Sequence, residues 1–365
     1  MSPDTLEGAQ RILAVRLDNI GDVIMLGPAL RAVKHAVPDA EITLLASRAG
    51  ASVAPLVPHI DDVVTFRPLW QDISGAMSTD LRPERALAAE LAARRFDAAL
   101  IFTSFAQSPY PPARVCVETG IPVRVGQSKE FGGGYLTTWL RSLPDDAHQV
   151  DRNLHLVRSL GIPAAGAQME IRVPEDVARA TDHLLADAGI GPDVPFALLA
   201  PGASCDARSY GVEQFAAVAH RLAEHSGLRV VLVGSPKEVA LCEAVRSGAG
   251  TPNVINLAEA SDVPTLVALT KRAAVVLGNN SAPAHIADAL GTPVLLTFSG
   301  TDLESQWAPR HAPSRLLRRQ TDCSPCYGFT CDIGKPCLAI SPEEVARATL
   351  DLAKSRVGSA LAATG

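Results

Sequence analysis

Three loops and one cysteine cluster carry the residue types that could do chemistry. The first loop is Asp18-Asn19-Ile20-Gly21-Asp22. Gly21 permits a tight turn or the close approach of a ligand, and Asp22 falls at the start of a helical stretch. Asp22 can act there as an N-cap, a place that Asp favours, or face a ligand as a general base. It does both only if one carboxylate oxygen stays free. The second loop, PGASCDARSY from Pro201 to Tyr210, sets small residues ahead of a cation and a helix start. Arg208 and backbone N–H groups could share a phosphate there; otherwise Arg208 is an exposed loop arginine that adds little to stability. The third loop, GNNSAPAHIADALGTP from Gly278 to Pro293, is the richest. Asn279, Asn280 and Ser281 are hydrogen-bonding groups, and Pro283 suits the first turn of a helix. The free N–H groups of that helix start suit a phosphate. His285 lies in the same turn, as a structural histidine or as part of the site.

Cys323, Cys326, Cys331 and Cys337 crowd into DCSPCYGFTCDIGKPC. Four thiols in one loop suit a tetrahedral metal with no open position, hence a structural zinc or iron. The other reading is four reduced thiols, or one disulfide, pinning the loop. Cys116, Cys205 and Cys242 are scattered and read as packing residues.

Short apolar runs must position these loops. RILAVRL, EITLLAS, DVVTF and DAALIF read as strands in the first part of the chain. PFALLAP, LRVVLVG, VINLA, AAVVLGN and PVLLTFS read as strands in the second. Between them lie stretches with helical spacing, such as 23–37, 82–95 and 212–225, and 342–354 reads as a C-terminal helix. Strands alternating with helices predict parallel βαβ units, and runs apolar on both faces predict strands buried under helices. We expect an α/β fold of two doubly wound domains, at 1–170 and 171–340, followed by a C-terminal helix at 341–365. In such sheets ligands sit beyond the carboxyl ends of strands, where the three loops fall.

The chain has 365 residues, 47% hydrophobic and 20% charged, which supplies sizeable cores and excludes wholesale disorder. A net charge of −6 argues against a nucleic-acid partner bound through a broad basic face. No uncharged apolar run reaches about 18 residues, so at most peripheral membrane contact is expected. The opening MSPDTLEGAQ has no basic stretch, which makes a cytoplasmic location the expectation and argues against an exported, two-lobed solute-binding protein. DNIGD is not a G-x-G-x-x-G fingerprint, which argues against a nicotinamide dehydrogenase.

Taken together, in order and spacing, the loops resemble glycosyltransferase family 9, the ADP-heptose:lipopolysaccharide heptosyltransferases. The resemblance runs from about Arg11 to Lys354. IGDVIMLGPALRAVKHAVPDAEITLLAS is similar to the family's opening motif, and GNNSAPAHIADALGTPVLLTFSGTD to its closing motif. Asn280 stands where the family usually has Asp, and Ala282 where it usually has Gly. The resemblance implies a GT-B fold: two Rossmann-like domains facing a cleft, an N-terminal acceptor domain, a C-terminal nucleotide-sugar domain, and a last helix that crosses back. It implies Asp22 as catalytic base and Arg208, at a lysine position of the family, on the donor pyrophosphate. It also implies Glu238, in GSPKE, on the ribose, and Ser281 on a phosphate, with Asn280 and His285 beside the donor. Similar cysteines occur in many members, and some relatives hold iron there. The implied reaction is inverting transfer of a heptose from ADP-heptose, with no obligatory Mg²⁺. The acceptor is a glycan, a lipopolysaccharide core or a small molecule. A sugar-nucleotide epimerase or hydrolase on the same fold is the alternative. Residues 1–170 carry 16 Lys and Arg against 19 Asp and Glu, so an acceptor lobe there is not basic overall.

Overall fold

The computed structural model describes residues 6–72, 75–77, 79–164 and 166–363. It divides into two compact units, Met1–Glu170 and Ile171–Gly365. In the first, strands β1 (Arg11–Arg16), β2 (Glu41–Ala46), β3 (Asp62–Thr65), β4 (Ala98–Ile101), β5 (Val123–Ser128) and β6 (Thr138–Arg141) form one sheet. Their order is β3-β2-β1-β4-β5-β6, and every pairing is parallel. The second holds β7 (Phe196–Ala200), β8 (Arg229–Leu232), β9 (Val254–Asn256), β10 (Val275–Asn279), β11 (Val294–Thr297) and β12 (Ser314–Leu317). Their order, β12-β11-β10-β7-β8-β9, is the first sheet's order counted from β7, again all parallel. Each unit is therefore doubly wound. The winding reverses between β1 and β4 in one and between β7 and β10 in the other, and a ligand crevice opens beyond such a switch point.

Apart from their ends, the central strands are apolar, as suits strands with helices on both faces. Phe196, Leu198 and Ala200 face Leu185, Leu269, Ala284 and Ala287. Ala197 and Leu199, one position out of phase, face Phe215, Val218 and Val245. The same second layer takes Val345, Ala346, Ala348 and Ala353 of the last helix, Pro342–Ala363, into its core. In the first unit Leu13 and Val15 pack against Leu87, Leu91 and Val115 of the helices Arg82–Arg94 and Tyr110–Glu118. Among the described residues, no helix is long and apolar enough to cross a membrane.

One buried carboxylate fixes the path into β12. Asp288, 2% exposed, accepts backbone N–H bonds from Arg310, His311 and Ala312 at 2.7–3.1 Å. Asp288→Ala removes the acceptor of three backbone donors, of which Ala312 N is buried and the other two part-buried; a buried orphan costs about 1–3 kcal/mol. We expect a loss of about 3 kcal/mol in urea unfolding, with Asp288→Asn retaining part of it. A loss below about 0.5 kcal/mol in the Ala variant would refute this role.

Candidate active site

Arg16 ends β1 with its side chain fully buried. A buried guanidinium needs anionic partners, and the next six residues supply two. Arg16 Nη2 donates to Asp22 Oδ1 at 2.5 Å, and Arg16 Nε lies 2.9 Å from Asp18 Oδ2. Nη2 also donates to Ser104 Oγ at 2.8 Å, from the loop that follows β4. Gln107 of that loop donates through Nε2 to Asp18 Oδ1, and its Oε1 accepts from Ser104 N. The loops after β1 and β4, the two strands that flank the switch point, are thereby bound into one network.

Asp22 does not cap its helix. The cap of the short helix Ile20–Ile24 is Asn19, and Asp22 is the third helical residue. From there it reaches back, and Asn19 N donates to its Oδ2 at 3.1 Å, completing a capping box. Each Asp22 oxygen thus has one partner and keeps a lone pair. Its side chain is 12% exposed. Burial opposes the charge on Arg16, but Asp18 and Asp22 outweigh it, so the Arg16 pKa is raised and the group stays cationic. Burial also raises the Asp18 pKa, with Arg16 opposing and Asp22 adding to the rise.

In the second unit the organising side chain is Asn279, the last residue of β10, fully buried. Its Nδ2 donates to Pro201 O (2.9 Å) and Gly202 O (3.1 Å). Its Oδ1 accepts from Tyr210 N and Thr297 Oγ1, each at 3.0 Å. All four hydrogen-bonding positions of the amide are used, and both ends of the Pro201–Tyr210 loop are pinned. Tyr210 Oη then donates to Ile340 O at 2.7 Å, just ahead of the last helix. Sequence reasoning read Asn279 only as polar; its signal was a lone amide closing an otherwise apolar strand.

Glu238 closes a turn after β8, where Ser235 N and Oγ both donate to its Oε2 at 2.7 and 2.8 Å. The other oxygen lies over Gly202, where an added Cβ would fall 1.8 Å from it. Glycine at position 202 leaves room for the Glu238 carboxylate in this orientation.

Arg208 is a paired arginine rather than an exposed one. Its Nη2 lies 2.7 Å from Asp302 Oδ2, and Asp302 is 6% exposed. Its Nε donates to Thr301 Oγ1 (3.1 Å) and its Nη1 to Ser204 Oγ (3.0 Å). The expectation that it adds little to stability is therefore corrected, because its removal strands a buried carboxylate. Ser281 is the N-cap of the helix Ala282–Leu290, but its side chain makes no capping bond; Oγ donates to Asn279 O at 3.4 Å. Asn280 is buried beside it. His285, also buried, sets its ring edge-on to Trp307 with centroids 6.5 Å apart. Arg208, Glu238, Asn280 and Ser281 thus share the carboxyl edge of the second sheet.

The four cysteines do not form the expected metal set. Among the described residues, no three His, Cys, Asp or Glu side chains gather as ligands. The reason is direction: Cys337 is turned into the apolar core with Leu338 and Ile340, while Cys323 and Cys326 are exposed. All four are free thiols, and Cys331 Sγ accepts from Lys335 N. Their loop instead braces its neighbours. Cys326 N and Tyr327 N donate to Gly300 O and Thr301 O at 3.0 and 2.9 Å. Ala207 N donates to Phe329 O at 3.1 Å, and Lys335 Nζ lies 2.8 Å from Asp206 Oδ1.

Comparison with known proteins agrees with this architecture. The model of glycosyltransferase family 9 (heptosyltransferase) matches residues 84–336, a span that includes the second-unit site and leaves out the loop of Asp22. Lipopolysaccharide heptosyltransferase 3 of Escherichia coli K12 is 26% identical over 289 residues, 77% of this chain and 80% of that protein. The structure of E. coli ADP-heptose lps heptosyltransferase II superposes with a TM-score of 0.75 at 22% identity, covering 95% of this chain and 99% of that one. The family 9 glycosyltransferase structure from Veillonella parvula DSM 2008 gives 0.77 at 19% identity, covering 97% and 100%. The fold is of the GT-B class, and the chain belongs to glycosyltransferase family 9, the heptosyltransferases.

Proposed function

We propose that this enzyme transfers a heptose from ADP-heptose to a glycan acceptor of the lipopolysaccharide-core type, with inversion at the anomeric carbon. The first unit would hold the acceptor and the second the nucleotide sugar. The names of the similar heptosyltransferases support the donor and acceptor class. The observation that carries the chemistry is the Asp22 carboxylate, fixed beyond β1 by Arg16 and Asn19 N with a lone pair left on each oxygen. An acceptor hydroxyl attacking the anomeric carbon must lose its proton, and Asp22 takes it. The bond to the β-phosphate oxygen breaks as the new glycosidic bond forms, and ADP leaves with added negative charge. Arg208, the Ser281 hydroxyl and the N–H groups of the helix Ala282–Leu290 meet that charge. Glu238, one oxygen of which is already held by Ser235, accepts from the ribose. No step is routed through the cysteines or a metal. We propose that a lipid-linked acceptor is met by peripheral contact; among the described residues no helix is long and apolar enough to cross a membrane.

Asp22→Asn keeps a side-chain oxygen for Asn19 N but cannot take a proton. Its kcat should fall by about 10²–10⁴ while its ADP affinity stays near that of the wild type. A wild-type kcat would retire the base.

Arg208→Ala removes a charge-assisted hydrogen bond to the pyrophosphate, worth about 1.5–3 kcal/mol. ADP affinity in calorimetric titration should fall roughly 10- to 100-fold, and Arg208→Lys should recover part of it. Because Asp302 loses its cation, Arg208→Ala should also lower stability, and adding Asp302→Ala should restore stability without restoring ADP binding. Equal ADP affinity in all four proteins would place the pyrophosphate elsewhere.

A further inference from the structure

Asp22 shares its cation. Asp18 lies on the same guanidinium, and the two carboxylates approach different edges of it, Nη2 for Asp22 and Nε for Asp18. Arg16 cannot swing away, because it is fully buried and its Nη2 is also spent on Ser104. Asp18 is held from two further sides: Gln107 Nε2 donates to its carboxylate, and Ser47 Oγ donates to its backbone oxygen. The charged groups of this network are Arg16, Asp18 and Asp22. The side chains that bond to it from the segments after β2 and β4, Ser47, Ser104 and Gln107, are uncharged.

A lone Arg–Asp pair would make a poor base, since an opposite charge at hydrogen-bond distance lowers a carboxyl pKa by about 1–3 units. A second carboxylate on the same cation offsets that fall, because like charges disfavour each other's ionised form. With Asp22 taken as the base, as in the reading above, we infer that Arg16 is the positioning residue of the transfer reaction. Asp18, by competing for the same guanidinium, keeps Asp22 basic enough to accept the acceptor's proton. Arg16 aims the Asp22 carboxylate, and Asp18 draws on the same guanidinium. The capping box alone would fix the position of Asp22 but not its basicity.

The test is the pH profile of kcat with ADP-heptose and a lipopolysaccharide-core acceptor. It compares wild type, Asp18→Asn, Arg16→Lys and Arg16→Gln, with Asp22→Asn as reference. A base must be ionised, so activity falls as pH drops through its pKa. Asp18→Asn removes a like charge, which should move the acidic limb down by about one pH unit and lower the plateau. Arg16→Gln removes the cation, which should move the limb up by about 1–3 units. Arg16→Lys keeps the charge and loses the two-sided fork, so the limb should stay while kcat falls about tenfold. An acidic limb unmoved in both Asp18→Asn and Arg16→Gln, with kcat lowered evenly at every pH, would make Arg16 purely structural and overturn the inference. If Arg16→Gln does not fold, the nearly isosteric Asp18→Asn decides: a downward shift supports the inference, and an unmoved or raised limb overturns it. A wild-type kcat in Asp22→Asn would instead defeat the base assignment itself. Loss of kcat there with unmoved limbs in the other variants defeats only the roles of Arg16 and Asp18.

Discussion

A polar side chain buried at the end of a central strand must find its partners among the loops around it. In both units that demand builds the site. Arg16 ends β1 and Asn279 ends β10, and neither is exposed to solvent. Arg16 draws in two carboxylates, and through Ser104 and Gln107 it ties the loop after β1 to the loop after β4. Asn279 draws in both ends of the Pro201–Tyr210 loop and, through Thr297, the end of β11. A doubly wound sheet opens a crevice where its winding reverses, but it leaves the lining of that crevice as unpaired loops. These two side chains turn the loops into fixed surfaces.

The same logic holds at the proposed donor site. Arg208 spends part of its fork on Asp302 and Thr301, so its guanidinium is held in place for the phosphate proposed to bind it. Preorganised charge of this kind is what a leaving diphosphate needs, because no reorganisation is then required as the bond breaks. The cysteine loop adds a second brace from outside, with backbone bonds to Ala207, Gly300 and Thr301. In this structure its contribution to its neighbours is mechanical support through these backbone bonds.

The central strands were legible because they are continuous apolar runs, and the three chemistry-bearing loops follow β1, β7 and β10 as expected. Other parts were hidden for physical reasons. Strand β6 is half exposed at Thr138 and Leu140 and open at Trp139 and Arg141, and β12 starts exposed, so neither edge strand carries a buried-strand signature. Strand β5 turns polar towards its end, at Gln127 and Ser128. The cap alternative for Asp22 stayed open in the sequence because the true cap, Asn19, stands three residues earlier and forms its box with Asp rather than the usual Glu. Arg16 passed as one residue of a strand, since nothing local says that its charge is buried. Arg208 passed as exposed because its partner Asp302 is distant in sequence. The cysteine spacing reports closeness along the chain but not direction, and Cys337 points into the core.

The central claim is acceptor-dependent, inverting transfer. The most direct measurement is the product formed from isotope-labelled ADP-heptose with and without a lipopolysaccharide-core acceptor, followed by mass spectrometry and by NMR of the new anomeric centre. The account predicts one heptosylated product, formed only when acceptor is present, with one ADP released per linkage and inverted anomeric configuration. Donor consumed without acceptor to a free sugar or an epimerised nucleotide sugar, or a product with retained configuration, would contradict it.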